Sequence, residues 1–538
     1  MSELVEDIQG EKGCRLPANW MQVRLTEIAT INPTLDKSEI DDELLVSFVP
    51  MPAVEAETGR IDVSAHRKFA EVKKGYTGFL EDDVLFAKIT PCMENGKMAV
   101  VPALKNDLGF GSTEFLVLRP AGGISPSYLY YFVSSKAFRI EAERNMTGAV
   151  GQRRVPTTFL GDREIPLPPA DEQQRIVAKL DELFSELDKG VENLRTAQQQ
   201  LKVYRQALLK HAFEGRLTAE WRVQNPDKLE SAEALLARIQ QEREARYQQQ
   251  LAEWQAAQQA WEASGKTGSK PAKPKVPTAL VPLTADELAE LPELPAGWFW
   301  VQLEALITGI DQGWSPKCEN QPTEDESWGV IKTTAIQHGQ FFENHNKSLP
   351  KNLAPRAQHK LSAGDILITR AGPRVRVGVC CLIRKVSKNL MNCDKAYRIR
   401  SLDSVCAPSY LEGVLNSPKI LDTLEHIKSG INDSGVNLNQ GAFLRLAIPL
   451  CSLSEQTALL IELEEKLSSL DQLENTIATS LQQAEALRQS ILKKAFSGQL
   501  VPQNPDDEPA SMLLERIRAE RAAQDPTAKR GRKVAKPA

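Results

Sequence analysis

The chain repeats itself once, and this duplication limits the folds it can adopt more than any other feature. Leu16–Trp20 (Leu-Pro-Ala-Asn-Trp) recurs as Leu294–Trp298 (Leu-Pro-Ala-Gly-Trp). Further matches follow in the same order and at a nearly constant offset: Asp83–Lys88 with Asp365–Arg370, Ile165–Leu167 with Ile448–Leu450, Glu172-Gln173 with Glu455-Gln456, and Leu209–Phe213 with Leu492–Phe496. A solenoid needs at least three short repeats. We therefore predict a tandem duplication of one large unit.

Each copy begins with a globular part that mixes strands, loops and a few helices. Short β-branched or apolar runs such as Val84–Phe86, Phe115–Leu118 and Ile366–Ile368 are separated by Gly, Pro and Asn. This punctuation is typical of short strands joined by turns. The predicted fold class is α+β.

A long helix follows each globular part, and both helices carry an apolar residue every seven positions. The first set is Leu180, Leu187, Leu194, Leu201 and Leu208, and the second is Leu463, Leu470, Ile477, Ala484 and Ile491. A heptad sustained this long indicates a coiled coil. The alternative is an amphipathic helix that packs on its own globular domain. We predict that the two helices pack antiparallel on each other, with Asp171 and Ser454 as their N-caps.

These patterns predict seven segments along the chain. In order, they are an N-terminal tail (1–14), a first globular domain (15–169), a first long helix (170–217), a helical segment with a Lys/Pro linker (218–293), a second globular domain (294–450), a second long helix (451–500), and a C-terminal helix with a basic tail (501–538). Within the fourth segment, Leu229–Glu262 has the composition of a solvated helix. The basic tail begins at Lys529.

Charge is distributed unevenly. The formal net charge of -5 argues weakly against a general nucleic-acid binder. However, Lys351–Arg400 contains twelve Lys or Arg and only two acids, Asp365 and Asp394, a local excess of +10. Such a segment fits a polyanionic ligand. A solvated basic face without a ligand is the alternative.

Several other protein classes are excluded. No apolar run approaches the ~18 residues of a membrane helix, and the acidic N-terminus lacks the apolar core of a signal peptide. Eight scattered cysteines without a C-x-x-C pair predict reduced thiols in the cytoplasm. Gly265-Lys266-Thr267 lacks the earlier glycine of a phosphate-binding loop, and neither His-Glu-x-x-His nor a methyltransferase Asn/Asp-Pro-Pro-aromatic motif occurs. We therefore expect no catalytic or metal site on this chain.

The order of these motifs resembles the specificity subunit of type I restriction–modification enzymes. The residues that carry the resemblance are Leu16–Trp20, Ile165–Gln173 and Lys210–Leu217, with Leu294–Trp298, Ile448–Gln456 and Lys493–Leu500 in the second copy. The resemblance covers nearly the whole chain and includes the duplication. One departure is Cys451-Ser452, which replaces the Pro168-Pro169 of the first copy.

The resemblance implies a non-catalytic subunit that recognises DNA. Each globular domain would be a target recognition domain that reads one half of a bipartite double-stranded site, and the helices would set the spacing. The subunit would recruit two methyltransferase subunits, which bind S-adenosylmethionine, and restriction (motor/nuclease) subunits, which use ATP and Mg²⁺. No cofactor is expected on this chain. Alternatives are a self-sufficient DNA-modifying enzyme, a DNA-binding specificity protein of another defence system, and a coiled-coil scaffold without a DNA role.

Candidate DNA-contacting residues follow from their side-chain chemistry. Arg matches the major-groove edge of guanine, Asn or Gln matches adenine, and Lys and Arg meet phosphates. The Gly-rich turn 148–156 carries suitable groups, and its counterpart 429–440 is rich in amides. The predicted contacts are Lys88, Gln152, Arg153, Arg154, Arg370, Arg374 and Arg376. For each of them, an ordinary surface charge is the alternative.

Overall fold

The computed structural model describes residues 16–149, 151–274, 276, 282–324, 327–430 and 432–524. The predicted N-terminal tail (1–14) and the basic tail from Lys529 lie outside these residues. The chain folds into two compact units. The first takes the chain up to Thr196 and again from Ile477 onward, and the second takes Ala197–Thr476.

The globular part of the first unit combines short strands with helices, which confirms the predicted α+β class. Its strands are β1 (Met21–Arg24), β2 (Ala29–Ile31), β3 (Leu45–Val49), β4 (His66–Lys68), β5 (Thr77–Phe79), β6 (Val84–Ala87), β7 (Met98–Val100), β8 (Gly109–Gly111), β9 (Phe115–Pro120) and β10 (Glu164–Leu167). Its helices are α1 (Leu25–Ile28), α2 (Phe69–Val72), α3 (Pro126–Ser134), α4 (Lys136–Arg144) and α5 (Thr157–Asp162). Two sheets have the strand orders β2-β9-β6-β7 and β4-β3-β8-β5.

The second unit repeats this plan. The first long helix is α6 (Ala170–Phe213), and the helices that follow are α7 (Ala219–Gln224), α8 (Ala232–Ala263), α9 (Ala285–Ala289), α10 (Leu303–Leu306), α11 (Pro408–Leu415), α12 (Pro418–Ile427) and α13 (Gln440–Leu444). The strands are β11 (Phe299–Gln302), β12 (Ile307–Gln312), β13 (Trp328–Ile331), β14 (Ile336–Gln337), β15 (Gln340–Phe341), β16 (Asn346–Ser348), β17 (Ile366–Thr369), β18 (Ala371–Gly372), β19 (Cys380–Leu382), β20 (Asn389–Met391), β21 (Ala396–Ser401), β22 (Lys428–Ser429), β23 (Val436–Leu438) and β24 (Ala447–Leu450). The sheet β12-β21-β17-β19 corresponds to β2-β9-β6-β7.

The repeated motifs meet each other in space. The strand after each Leu-Pro-x-x-Trp pairs antiparallel with the Ile-Pro-Leu strand of the same copy, so that Val23 lies opposite Ile165. β11 and β24 pair in the same register. Trp20 Nε1 donates a 2.9 Å hydrogen bond to Glu172 Oε2, and the neighbouring Gln173 accepts the backbone N–H of Ser125. These contacts explain why an indole and a Glu-Gln pair recur together although they are distant in the sequence.

The repeated aspartates are structural. Asp83 and Asp365 stand directly before β6 and β17 and are almost completely buried. Arg119 on β9 donates two 2.7 Å hydrogen bonds to Asp83, and Arg400 on β21 donates to Asp365. Each ion pair joins neighbouring strands of the central sheet, and a buried carboxylate needs such a partner.

The second long helix is α14 (Leu453–Phe496), and it packs antiparallel to α6 as predicted. In the first unit Asp188 of α6 pairs with Arg488 of α14, and in the second unit Arg205 pairs with Asp471. Each unit therefore joins the early half of one helix to the late half of the other. The most buried heptad positions are Leu180, Leu208, Leu463, Leu470, Ile477 and Ile491.

The predicted N-caps of these helices are wrong. Asp171 and Ser454 both lie inside the first turn, because Ala170 and Leu453 are already helical. In α14 the hydroxyl of Ser452 accepts the backbone N–H of Glu455 at 3.3 Å, so Ser452 is the cap.

The segment after each long helix packs on the globular part of the other copy. Leu235 and Ile239, at the start of α8, are fully buried in the core of the second unit, so this end of the predicted solvated helix is not solvated. The final helix α15 (Ala510–Gln524) buries Leu513 and Ile517 in the core of the first unit. Each unit thus contains sequence from both copies.

The Phe-x-Gly motif at the end of each long helix has a matching steric role. Gly498 has a φ of +74°, and a Cβ there would lie 2.4 Å from Pro17 Cγ in the Leu-Pro-x-x-Trp motif. Gly215 has a φ of +73°, and a Cβ there would lie 2.6 Å from Pro295 Cγ. Glycine is needed both for the left-handed backbone and for the close approach.

Candidate nucleic-acid interface

Each globular part contains a hairpin, and the predicted DNA-contacting residues lie on it or in the strand segments beside it. In the second unit β22 and β23 form the hairpin, and β18 pairs with the other side of β23. In the first unit Arg154 forms β-bridges to both Thr147 and Ile89. The same three segments therefore meet in both copies.

Equivalent glycines open the two hairpin tips, which are residues 148–153 and 430–435; Val150 and Ile431 lie outside the described residues. Gly148 has a φ of +123°, and a Cβ there would stand 2.9 Å from the Gln152 carbonyl oxygen. Gly430 has a φ of +136°, and a Cβ there would stand 2.8 Å from the Gly435 carbonyl oxygen. Both tips depend on glycine for their tight closure.

Lys88 and Arg370 occupy equivalent places at the ends of β6 and β17. The backbone N–H of Lys88 donates to Glu114, and its carbonyl accepts from Val155, each at 2.9 Å. The backbone of Arg370 bonds Lys395 and Leu438 in the same way, each at 2.8 Å. The Arg370 guanidinium donates to the Asp394 carbonyl at 2.9 Å, so it is partly occupied. These contacts tie each hairpin to the end of a buried strand.

In the first unit, the hairpin presents one uncharged and two charged side chains, two on the tip and one in the strand after it. Gln152 is exposed, and its side-chain amide makes no hydrogen bond to the described residues. Arg154 is held by two hydrogen-bonding oxygens of Glu114, the closest at 2.7 Å, and this guanidinium lowers the pKa of Glu114. Arg153 has looser partners, because its Nη2 lies 3.9 Å from Glu94 and 3.7 Å from Glu143.

In the second unit, the two arginines after β18 differ in role. Arg374 is half-exposed and pairs with Glu425 at 2.6 Å and with Asp433, on the hairpin tip, at 3.0 Å. Arg376 donates to Gln337 at 2.9 Å and to the Thr333 carbonyl at 2.7 Å. The Arg376 guanidinium therefore stabilises a neighbouring turn, whereas Arg374 lies beside the tip.

The amide-rich segment 429–440 also divides into two roles. Asn432 and Asn437 are exposed on the hairpin. Asn439 is the N-cap of α13, since its side-chain oxygen accepts the backbone N–H of Ala442 at 3.0 Å. The sequence shows the type of an amide residue but not whether a helix end uses it.

The basic segment Lys351–Arg400 carries less excess charge than its sequence predicts. Arg384 pairs with Glu412 and Arg398 with Asp311, and both acids lie outside the segment. Arg356 stacks on Trp314, with its Cζ 4.0 Å from the ring centroid. Acids that are distant in the sequence therefore neutralise part of this face.

Sequence patterns missed two features of the interface. Val375 is 83% exposed between Arg374 and Arg376, which makes it an apolar side chain at the edge of a polar site. Glu143 and Glu425 face site arginines from equivalent helices. The constant offset between the copies could have identified the glutamates, but no periodic pattern marks Val375.

The described residues do not form a metal cage or an activated thiol. No group of three or more His, Cys, Asp or Glu in the described ranges is placed to hold a metal ion. Burial raises the pKa of Cys381 to about 12 and that of Cys393 to about 11, so neither thiol is an activated nucleophile. What the site offers is hydrogen-bonding and cationic groups.

Known proteins are similar to this chain over most of its length. Residues 17–194 match the type I restriction modification DNA specificity domain. The specificity subunit of the type I restriction enzyme EcoEI from Escherichia coli is 33% identical over 531 residues, which cover 90% of this chain and 84% of that protein. The chain belongs to the type I restriction–modification specificity family. The EcoAI specificity subunit, also from Escherichia coli, is 28% identical and covers 92% of this chain and 85% of its own length.

A solved structure confirms the fold. A chain from a study of complex assembly and conformational transition in the type I R-M system aligns with a TM-score of 0.61 and 20% identity. The alignment covers 90% of this chain and 100% of that one. None of the helices in the described ranges has the length and apolar character that a membrane crossing requires.

Proposed function

We propose that this chain is the DNA-specificity subunit of a type I restriction–modification enzyme and that it neither methylates nor cuts DNA itself. The observation that carries the proposal is the pair of equivalent hairpins, one in each unit, each with an exposed amide on its tip and an arginine on or beside that tip. Two similar readers in one chain fit a target with two separate halves. Family membership supports the same function.

In this proposal the domain 15–169 reads one half of the target and the domain 294–450 reads the other. Gln152, Arg153 and Arg154 contact DNA in the first domain, together with Lys88 at the strand end. Arg370 and Arg374 serve the second domain. Because the Arg376 guanidinium already binds a turn, we assign it the role of holding the Arg374 loop in position.

The long helices act in this proposal as the spacer and the partner scaffold. They join the two readers and bind two methyltransferase subunits, which carry S-adenosylmethionine, while restriction subunits with ATP and Mg²⁺ join that complex. The spacing between the half-sites then depends on the helix length, since each residue adds ~1.5 Å.

A domain exchange tests the proposal. Residues 294–450 are replaced by the equivalent domain of a relative, and genomic methylation is sequenced in cells that supply the methyltransferase. We expect one half of the methylated sequence to change while the other half and complex assembly are retained. A change in both halves would refute the two-reader function. Methylation or cleavage by the purified chain alone would favour a self-sufficient enzyme.

Single substitutions separate the roles of the arginines. If Arg374 reads a base, Arg374→Ala should cost ~1–3 kcal/mol of binding and relax one position of the target. If it meets a phosphate, the same change should weaken all sequences alike and flatten the salt dependence. Arg516→Ala, which changes an exposed arginine on α15, is the matched control.

A further inference from the structure

Two glutamates occupy the same position in the two copies. Glu143 lies in the last turn of α4, five residues before Gly148, and Glu425 lies near the end of α12, five residues before Gly430. Both helices lead directly into the hairpin of their unit. The position therefore places a carboxylate beside the hairpin of each unit.

Each carboxylate meets an arginine, but the arginines come from different segments. Glu143 Oε1 lies 3.7 Å from Nη2 of Arg153, which belongs to the hairpin tip. Glu425 Oε1 lies 2.6 Å from Nη1 of Arg374, which belongs to the loop after β18. The glutamate thus occupies the same position in both copies, but the arginine that it contacts comes from a different segment in each.

We propose that Glu143 and Glu425 are specificity-determining residues that restrain the DNA-contacting arginines in the unbound protein and so weaken binding to unrelated DNA. This inference rests on the proposed function. The side chains of both pairs remain accessible to solvent, at 38% and 48% for Arg153 and Glu143 and at 36% and 44% for Arg374 and Glu425. A phosphate can therefore displace the carboxylate.

The physical basis is a competition between anions. Exposed ion pairs are weak, so each restraint is modest and reversible. DNA of unrelated sequence offers mainly phosphates to replace the carboxylate, whereas the matched sequence adds hydrogen bonds from base edges. Unrelated DNA, held mainly through phosphates, must open the pair to gain the arginine, whereas a matched site keeps its base-edge hydrogen bonds even where the pair stays closed. The cost of breaking the pair therefore falls more heavily on unrelated DNA. The carboxylates therefore lower the affinity for DNA in general but increase the difference in affinity between the matched site and unrelated DNA.

The test measures how the full-length chain binds a duplex that lacks the recognised site. Fluorescence anisotropy compares the wild type with Glu143→Gln, Glu425→Gln and the double variant from about 50 to 200 mM salt. Each single change should raise affinity about two- to five-fold. It should also steepen the plot of log affinity against log salt by up to ~0.9. Affinity for the matched site should rise less.

Glu508→Gln is the matched control, because it removes the same charge from an exposed 2.6 Å pair with Arg516 outside the interface. Glu143→Ala and Glu425→Ala provide second variants should a glutamine variant fold poorly. A gain equal to that of Glu508→Gln, or no gain in variants that fold, would overturn the inference. Failure of the wild type to bind any DNA would instead refute the proposed function.

A double-mutant cycle tests whether the arginine is required. Glu143→Gln is repeated in an Arg153→Ala chain, and Glu425→Gln in an Arg374→Ala chain. Because neighbouring groups in one network are not additive, the gain should vanish once the arginine is absent. A gain that persists without the arginine would show simple repulsion of phosphate or, at Glu425, release of Lys428, whose Nζ lies 2.6 Å from Oε2 of the same carboxylate, and would overturn the restraint.

Discussion

In both units a tryptophan donates a hydrogen bond to a buried glutamate at the start of a long helix, but the other groups around that glutamate differ in charge. In the first unit Glu172 accepts from Trp20 and from the side-chain amide of Gln503. In the second unit Glu455 accepts from Trp298, as well as from Thr218 and the guanidinium of Arg222. One buried glutamate is thus held by neutral donors among the described residues, and the other by a cation.

A short insertion accounts for this difference. Six residues separate Leu217 from Gln224 in the first copy, whereas two separate Leu500 from Gln503 in the second. The additional residues form α7, which brings Arg222 to Glu455. The duplicated motif supplies the Trp–Glu hydrogen bond in both units. The segment after the helix determines whether a cation also contacts the glutamate.

In the first unit the ion pair between helix and tail lies about one helical turn beyond Glu172. Its cation is on the helix and its anion on the tail, the opposite of the second unit. Arg175, on the helix, donates to Asp507, on the tail, whereas in the second unit the arginine is on the tail. Val501–Asp507 contains no cation, so this tail could not neutralise Glu455. Because their charges have diverged, the two tails are not interchangeable: an exchanged tail would leave a buried charge without its partner.

The largest effect is expected for Arg222→Ala in the second unit. Glu455 is completely buried and Arg222 nearly so, and the change leaves a buried carboxylate without its cation. We expect the second unit to lose about 3–5 kcal/mol of stability. Urea unfolding, with hydrogen exchange to assign the transition to a unit, measures the loss.

Arg222→Ala combined with Glu455→Gln is the rescue control, because the glutamine removes the uncompensated charge and still accepts from Trp298. The double variant should recover part of the stability. A loss below about 1 kcal/mol for Arg222→Ala would mean that water replaces the guanidinium, and the contrast between the units would then have no energetic content.

A smaller effect is expected for Asp507→Asn in the first unit. Arg175 lowers the pKa of Asp507, so the pair stabilises the fold above the normal pKa of an aspartate. This stability is lost as the pH falls through the lowered pKa of the folded state. We expect a loss of about 1–2 kcal/mol at pH 7.

Chemical denaturation between pH 2 and 7 checks this prediction, with the wild type and Asp507→Asn compared at each pH. The variant should lack the acid-induced loss that the pair causes. If both proteins lose stability equally on acidification, Arg175 does not stabilise the Asp507 carboxylate. Lys179→Ala, which breaks an exposed pair with Glu182 on the same helix, is the control for a surface ion pair.

The sequence predicts the duplication, the α+β class and the antiparallel helices, because these leave repeats and periods that can be counted. It does not predict that Trp20 bonds Glu172, since residues so far apart share no period. Nor does it predict that each tail docks on the other copy's globular part. Both contacts depend on tertiary packing, which no local pattern records.

The candidate interface shows the same limit. The equivalent positions of Lys88 and Arg370 could be inferred from the aligned copies, as could the glycines that open the hairpin tips. Residue type alone could not separate Arg376, which holds a turn, or Asn439, which caps a helix, from groups that are available at the surface. The sequence shows which side chains can form hydrogen bonds, but it does not show which groups they bond to.

The smallest effect is expected for Glu172→Gln in the first unit. Burial raises the pKa of Glu172, so the folded state disfavours its ionised form. The ionised carboxylate therefore lowers the free energy of unfolding. This loss is absent below the pKa of the unfolded state and grows as the pH rises through the higher pKa of the folded state. The glutamine keeps an acceptor for Trp20 without the charge. We therefore expect Glu172→Gln to stabilise the first unit by up to about 1 kcal/mol at pH 7 and to change nothing near pH 3.

Glu455→Gln is the matched control, because the same substitution at the equivalent position removes the partner of a buried guanidinium. It should destabilise the second unit at pH 7, so the two substitutions should have opposite signs. Urea unfolding of both variants at pH 3, 5 and 7 tests this. Equal signs at pH 7 would mean that the neutral donors of the first unit and the cation of the second are energetically equivalent. The Trp20–Glu172 and Trp298–Glu455 contacts would then have different neighbouring donors but the same energetic role. The tails could therefore be exchanged without cost at this contact.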